Sequence, residues 1–496
     1  VTKTKSICPE CKKEIEALLT EKNGKICISK TCKEHGKFAA THWQSPAVYK
    51  FTEDYDFFKH FKESEISKRA DGCPYTCESC KGHVSDTVIG VIDVTKECDL
   101  RCAVCFSTFS DHMVDYEPTK EELVDILTFL SQRNPKPPAI LFSGGEPLER
   151  KDIHEIIAAA HELKFMTILA TNGIHIAEEP ERAAQLKQNG LNIVYLQFDS
   201  FSDDFYKKVR GRKLLQLKYK AVEVCRKLDM EIILVTTLMN GFNDKEVGKI
   251  IKFAAANSDI VRGLIFQPIA FTGRATDNPF QDAWRDWRFA EQVESQTNGE
   301  IKTSDMFPLS VMSSPIKIMR KFMKKPWPLF SCSPHCGIVN WMYVSRSGKI
   351  IPINHFVNFD KFFRSVLKTA QKVENKSKFS LLSALFMASM RSLNMLLVTK
   401  EVGIFTLTRA ILKMHISPSY QSLGPIRRRI FLLGCMAFMD PYTFDVNRVQ
   451  RCVVHYVTPN LKVIPFCAYN NIHRIDTEEN YASKQRVNSI VEIASK

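Results

Sequence analysis

No uninterrupted apolar run of about 18 residues occurs anywhere in the 496-residue chain, so no membrane-spanning helix is expected. The first residues are Lys-rich and run straight into a cysteine pair, which leaves no apolar stretch for a signal peptide. Acidic residues are in short supply: 55 Asp and Glu stand against 69 Lys and Arg, for a net charge of +14 and a pI near 9.0. That balance suits an anionic partner such as nucleic acid, phospholipid headgroups or a phosphorylated substrate, and does not choose among them. These shortages predict a cytoplasmic protein with, at most, peripheral contact to a membrane. The hydrophobic share of 44% is ample for buried cores, and the length suggests roughly three domains.

Cysteine is not scarce. Sixteen are present, and all but one sit in tight groups or in the C-terminal third. A disulfide-stapled secreted scaffold would be small and would carry a signal peptide, so metal ligation is the better account. Cys8 and Cys11 form a C-x2-C knuckle, followed by Cys27 and Cys32 at C-x4-C spacing. Four thiolates from two hairpin-like corners give a closed tetrahedral site, and the residues alone favour zinc over a single iron. Cys73, Cys77 and Cys80 stand at C-x3-C-x2-C spacing after a charged stretch, and read as ligands of an auxiliary cluster. Cys98, Cys102 and Cys105 repeat that spacing, but directly after a strand-like run over 88–94. Three thiolates hold three corners of a [4Fe–4S] cube and leave the fourth iron open to a substrate or cofactor.

From residue 86 strand and helix signals alternate. Strands are predicted over 88–94, 140–142, 166–170, 193–198, 232–236 and 264–266. Helical faces fall between them, among them Leu123, Ile126, Leu127 and Leu130 behind a capping box at Thr119. Six βα repeats imply a parallel sheet with outer helices, whose chemistry collects at the strands' C-terminal ends. The Cys98 loop, the run Ser143-Gly144-Gly145-Glu146-Pro147, Asn172, Asp199-Ser200 and Gln267 all fall at those ends. The Cys98 loop and the Gly-Gly-Glu-Pro run sit in order on consecutive units, and on them residues 86–270 resemble the radical S-adenosylmethionine (SAM) superfamily. In that setting Gly144 and Gly145 permit close backbone approach, and backbone near Glu146 meets the methionine ammonium. Asn172, Asp199 and Ser200 offer contacts to ribose or the amino acid moiety, and Arg210 pairs with the carboxylate.

After about residue 270 the βα rhythm stops. Cys332, Cys336, Cys435, Cys452 and Cys467 follow; with Cys73, Cys77 and Cys80 they make eight thiols, enough for two fully ligated four-iron clusters. Cys225 is left over inside a helical pattern and reads as a buried free thiol. Residues 360–433 are rich in Met and Phe, including Phe379, Phe386, Leu396, Phe405, Leu407 and Ile411. Their apolar positions wrap more than one helical face, as in buried helices or helices lining an apolar cavity. Arg427-Arg428-Arg429 suits phosphate at a cavity mouth or a membrane surface, or is a solvated charge run. His455 reads first as a packed core histidine and second as a ligand.

The whole chain resembles a narrower group, the archaeal tetraether lipid synthases. The residues that carry this are the N-terminal four-Cys site, Gly72-Cys73-Pro74-Tyr75-Thr76-Cys77, the Cys332/Cys336 pair, and the ending with Arg451-Cys452-Val453-Val454-His455-Tyr456 and Pro465-Phe466-Cys467. The resemblance implies a α/β fold: a partial (βα)6, TIM-like radical SAM barrel over 86–300. It is preceded by a rubredoxin-like four-Cys domain over 1–45 and a linker with the auxiliary Cys loop over 46–85. A C-terminal α+β auxiliary-cluster and lipid-binding domain over 301–496 follows. It implies three [4Fe–4S] clusters, one SAM-binding and two auxiliary, and one mononuclear iron in place of the zinc favoured above. It implies a radical that abstracts hydrogen from terminal methyl carbons of archaeal diether phospholipid chains, which are then joined into macrocyclic archaeol or tetraether lipids. A ferredoxin- or flavodoxin-type donor would supply electrons, and no nucleic acid partner is expected. The alternative is a radical SAM methyltransferase for a pterin, another heterocycle or a nucleic-acid base, which should not need the Met/Phe-rich helices as a cavity lining. An RNA-binding metal protein would give the Gly144–Pro147 run no role.

Overall fold

The computed structural model describes residues 2–62, 72–77, 82–106, 117–275, 288–322, 326–403, 409, 412 and 426–483. Cys80, Phe405, Leu407 and Ile411 lie outside the described residues. The chain opens with a four-stranded antiparallel ribbon: β1 (Thr2–Ile7), β2 (Glu14–Lys22), β3 (Lys25–Cys32) and β4 (Gly36–Trp43) in sequential order. β3 follows the period-two rule: Ile26, Ile28, Lys30 and Cys32 are buried, and Cys27, Ser29 and Thr31 point to the other face. The ribbon is docked onto the C-terminal third. Lys30 Nζ donates to Ser6 Oγ at 3.0 Å and to the Pro441 carbonyl at 2.6 Å, and Thr4 Oγ1 donates to Asp445 Oδ1 at 2.7 Å.

The six expected parallel strands are all present, as β5 (Ile89–Asp93), β6 (Ala139–Ser143), β7 (Met166–Thr171), β8 (Ile193–Gln197), β9 (Glu231–Leu238) and β10 (Val261–Pro268). They pair in sequence order, each parallel to the next. The helix Lys120–Gln132 starts where the capping box predicts: Glu122 N donates to Thr119 Oγ1 and Thr119 N donates back to Glu122 Oε2. Its Leu123, Ile126, Leu127 and Leu130 join Ile153, Ile156 and Ile157 of the helix Ile153–Glu162 in the main core. Cys225 is buried in that core on the helix Leu215–Lys227, and burial pushes its thiol up to about 12.

The strands after residue 300 join the same sheet at both edges. β11 (Phe307–Pro308), β12 (Gly337–Val344), β13 (Ile350–Pro352) and β14 (Ile430–Met436) extend the β10 side, with β14 parallel to β10. β15 (Val454–Val457) lies parallel to β5 on the other edge, followed by β16 (Val463–Pro465). Cys336 immediately precedes β12, Cys435 lies on β14, Cys452 stands two residues before β15, and Cys467 follows β16.

Two expectations for the C-terminal third are corrected. The helices Lys378–Ser392 and Met395–Glu401 leave Phe379 82% and Leu396 87% exposed, so they are not buried all round, and they line none of the cavities formed by the described residues. The Arg427–Arg429 run lines none of the cavities formed by the described residues. Arg427 pairs with Glu231 at 2.8 Å and Arg428 with Asp229 at 3.3 Å, at the start of β9 and away from its C-terminal end. No helix among the described residues is long and apolar enough to cross a membrane.

Candidate active site

The C-terminal ends of β7, β8, β9 and β10 border a cavity of about 250 Å³. Cys98, Cys102 and Cys105 line it, together with Gly145, Glu146, Asn172, Arg210 and Gln267. Three thiols on one cavity wall are the donor set that a site-differentiated iron–sulfur cube requires, so the residues present fit that group.

The two glycines act on the cysteine loop. A Cβ on Gly145 would lie 2.0 Å from the Glu97 carbonyl oxygen, and one on Gly144, whose φ is +125°, would lie 2.4 Å from that of Thr95. The gap they leave lets Gly145 N donate to Thr95 O at 2.8 Å and Glu146 N to Glu97 O at 2.7 Å. The two motifs are thus bonded backbone to backbone. The Glu146 carboxylate is buried and accepts from Asn172 N at 2.8 Å and Leu148 N at 3.2 Å. Burial outweighs those bonds and pushes its carboxyl up to about 7.

Arg210 borders the cavity, but its guanidinium is already engaged. Nε donates to Asp199 at 3.0 Å, Nη1 to the Val104 carbonyl at 2.9 Å and Nη2 to Thr237 Oγ1 at 3.0 Å. Its placement is that of a clamp on the cysteine loop, not of a free partner for a carboxylate. Asp199 and Ser200 do not line the cavity. Asp199 holds Arg210 and accepts from Thr237 N at 2.9 Å, while Ser200 is bonded to Glu246. Asn172 does line it, with its amide on Asp99 at 2.6 Å, and Gln267 donates to Tyr195 OH at 2.9 Å.

Sequence reasoning missed Tyr195, Gln197, Thr237 and the residue behind them, Lys218. Lys218 is buried, donates to the Asn172 carbonyl and to Gln197 Oε1, and is pushed down to about 8 by burial. A lysine on the apolar face of a helix was the available signal. Phe106 also lines the cavity, and behind it Phe438 and Phe466 stack with ring centres 4.5 Å apart.

The ribbon's metal site differs from the expected one. Cys8, Cys11, Cys32 and His35 have ligand atoms within 4.8 Å of one another, and Cys27 is not among them. Cys27 and Cys32 are an odd number of residues apart on β3, so they face opposite sides of the strand. The fourth corner comes from Cys32-Lys33-Glu34-His35, whose C-x2-H spacing matches Cys8–Cys11. Cys11 Sγ and Cys32 Sγ are 3.9 Å apart and His35 Nδ1 is 3.5 Å from Cys32 Sγ. Edges of about 3.8 Å for S–S and about 3.5 Å for S–N follow from zinc bond lengths in a tetrahedron. A Cys3His set at those spacings suits zinc rather than the single iron that a four-Cys site implied.

Among the other thiols, buried Cys332 and half-buried Cys336, Cys452 and Cys467 stand near enough to interact electrostatically. Arg448 Nη2 stands 3.8 Å from Cys336 Sγ and Arg451 donates to the Cys332 carbonyl. Cys435 packs in the main apolar core with Phe431 and Leu433, on the strand paired with the one that follows Cys336. Cys73 and Cys77 border a separate cavity with His83 and His455.

A family model for the radical SAM superfamily matches residues 92–254, and one for the HMPTM N-terminal zinc ribbon domain matches residues 1–44. The 7,8-dihydro-6-hydroxymethylpterin dimethyltransferase of Methanocaldococcus jannaschii is 37% identical over 486 residues, covering 97% of this chain and 95% of the relative. A GTP 3',8-cyclase of Helicobacter pylori is 30% identical over 179 residues, 35% of this chain and 54% of that protein. Among solved structures, SuiB of Streptococcus suis bound to its precursor peptide matches at TM-score 0.34 and 15% identity, over 55% of this chain and 65% of that one. The expectation of a tetraether lipid synthase is overturned. The relative aligned from end to end is a pterin dimethyltransferase, and the ribbon matches a family model bearing the HMPTM name.

Proposed function

This chain belongs to the radical SAM superfamily and to the family of the 7,8-dihydro-6-hydroxymethylpterin dimethyltransferase, and from that premise we propose that it methylates a reduced pterin or a close heterocyclic analogue. The observation that carries the reading is the end-to-end identity with a pterin enzyme, which takes in the ribbon, the barrel and the C-terminal cysteines. When bound, the iron–sulfur group supplies the electron that cleaves SAM. The chain's own residues do the rest. Arg210 and the Gly144–Glu146 backbone hold the cysteine loop against the strand ends. Asn172, Gln197, Thr237 and Gln267 give the cavity polar contacts for the cofactor's ribose and amino acid ends.

Two features support a flat heterocycle. Phe106, backed by Phe438 and Phe466, gives the cavity an aromatic wall on which a planar ring can stack. The described Met/Phe-rich helices Lys378–Ser392 and Met395–Glu401, which a long alkyl substrate would need as a lining, stand outside the cavity. Within this reading the ribbon carries zinc on Cys8, Cys11, Cys32 and His35, and the four thiols Cys332, Cys336, Cys452 and Cys467 carry an auxiliary iron–sulfur group. Anaerobic turnover of 7,8-dihydro-6-hydroxymethylpterin with SAM, a reductant and a one-carbon donor tests the reading. A methylated pterin supports it, and 5′-deoxyadenosine formed with the pterin unchanged overturns it.

A further inference from the structure

A second cavity, of about 420 Å³, lies beside the approach to β5 and is lined by Cys73, Cys77, His83, Arg133 and, from β15, His455. None of these residues borders the Cys98 cavity. His455 is only 3% exposed. Its Nε2 is 3.0 Å from His83 Nε2, and that same His83 nitrogen is 3.0 Å from the Cys452 carbonyl oxygen. A carbonyl only accepts, so the proton of that bond sits on His83 Nε2. Two N–H groups cannot face each other across this distance, so His455 Nε2 is the acceptor of the pair. Its ring proton is therefore on Nδ1. That Nδ1–H is buried and has no hydrogen-bond partner among the described residues. A buried donor left unmet is costly, and such groups mark a place where something else accepts.

The neighbours say what the acceptor is. Two thiols share the cavity, and Arg133, its guanidinium over the Phe129 ring, adds positive charge to the same wall. Asp86 does not supply the acceptor: its Oδ2 takes Leu329 N at 2.7 Å and it makes no hydrogen bond to His455 Nδ1. The chamber therefore presents a fixed N–H and a cation toward a thiolate-bound, negatively charged group. We propose that His455 Nδ1–H donates a hydrogen bond to an iron–sulfur group held by Cys73 and Cys77, with His83 locking the tautomer, and thereby raises that group's reduction potential. The proposal rests on reading Cys73 and Cys77 as iron–sulfur ligands. A donor to a cluster sulfur favours the reduced, more negative state, so removing it lowers the potential.

The test uses the full chain, reconstituted anaerobically, with Cys98, Cys102 and Cys105 replaced by Ala so that their cluster gives no signal. Redox titration is followed by electron paramagnetic resonance. A reduced-cluster signal should vanish when Cys73 and Cys77 are also replaced by Ala. In His455→Leu its midpoint should shift downward with iron and sulfide content unchanged, and His455→Gln, which restores a donor, should recover part of the shift. His83→Phe, which frees the tautomer, should also lower the midpoint, and it decides the matter if His455→Leu does not fold. An unchanged midpoint in His455→Leu, or in His83→Phe where that variant decides, overturns the donor role. If no signal depends on Cys73 and Cys77, the iron–sulfur reading beneath it fails, and the proposal with it.

Discussion

The backbone N–H of Glu146 donates to the carbonyl oxygen of Glu97 over 2.7 Å, and it does so because Gly145 beside it has no side chain. A methyl group at Gly145 would lie 2.0 Å from that oxygen, and backbone on both sides cannot yield cheaply. Gly145→Ala should therefore push the cysteine loop off the strand ends. Overpacking of this kind costs about 1–3 kcal/mol, so the chain should still fold while iron uptake at the Cys98 loop and SAM cleavage are lost. Iron content and 5′-deoxyadenosine yield check this. Wild-type levels of both would show that the two motifs are not coupled.

Arg210 and Asp199 form a fully buried pair whose guanidinium also holds the Val104 carbonyl. Removing one partner of such a pair costs about 3–5 kcal/mol, because the other charge is left buried and unmatched. Asp199→Asn should lower the thermal midpoint and weaken SAM binding together. Were Arg210 a free carboxylate partner instead, Asp199→Asn would leave the stability of the SAM-free protein nearly untouched.

The ribbon site separates two cysteines that spacing alone had joined. His35→Ala should fail to retain zinc, while Cys27→Ser should retain one zinc per chain, as read by metal analysis after dialysis. Loss of zinc in Cys27→Ser would reinstate the four-Cys site.

Glu146 gives a pH signature. Its folded value of about 7 stands above the ordinary 4.5, so between those values the folded chain holds a proton that the unfolded chain has released. Stability contributed by this group is therefore full below about pH 4.5 and falls as pH rises through about 7, by at most about 3 kcal/mol. Denaturant midpoints of the cofactor-free protein should drop between about pH 5 and about pH 8, and Glu146→Gln should flatten that drop. Identical slopes in the two proteins would mean that the carboxyl titrates as if exposed.

The barrel was legible because its signals are local. Strands β5 to β10 announce themselves as β-branched runs, and the capping box at Thr119 marks the start of its helix. The cavity's cysteines and Gly145 followed from motif spacing. What spacing could not convey was which face a residue takes. Cys27 fails on strand parity, and Arg210 was legible as functional but not as a clamp, since Val104 and Thr237 reach it only in three dimensions. The joining of β14 and β15 to opposite edges of one sheet was equally hidden, because those pairings span hundreds of residues. The Met/Phe-rich helices misled the reading of substrate. Apolar density on several helical faces predicts burial, yet Phe379 and Leu396 are exposed.

The most direct measurement follows hydrogen. 7,8-Dihydro-6-hydroxymethylpterin carrying deuterium at its carbon-bound positions is incubated anaerobically with the protein, SAM, a one-carbon donor and a reductant. The account predicts deuterium in the released 5′-deoxyadenosine, a methylated pterin, and loss of both in Cys98→Ala. Unlabelled 5′-deoxyadenosine beside unchanged pterin would contradict it.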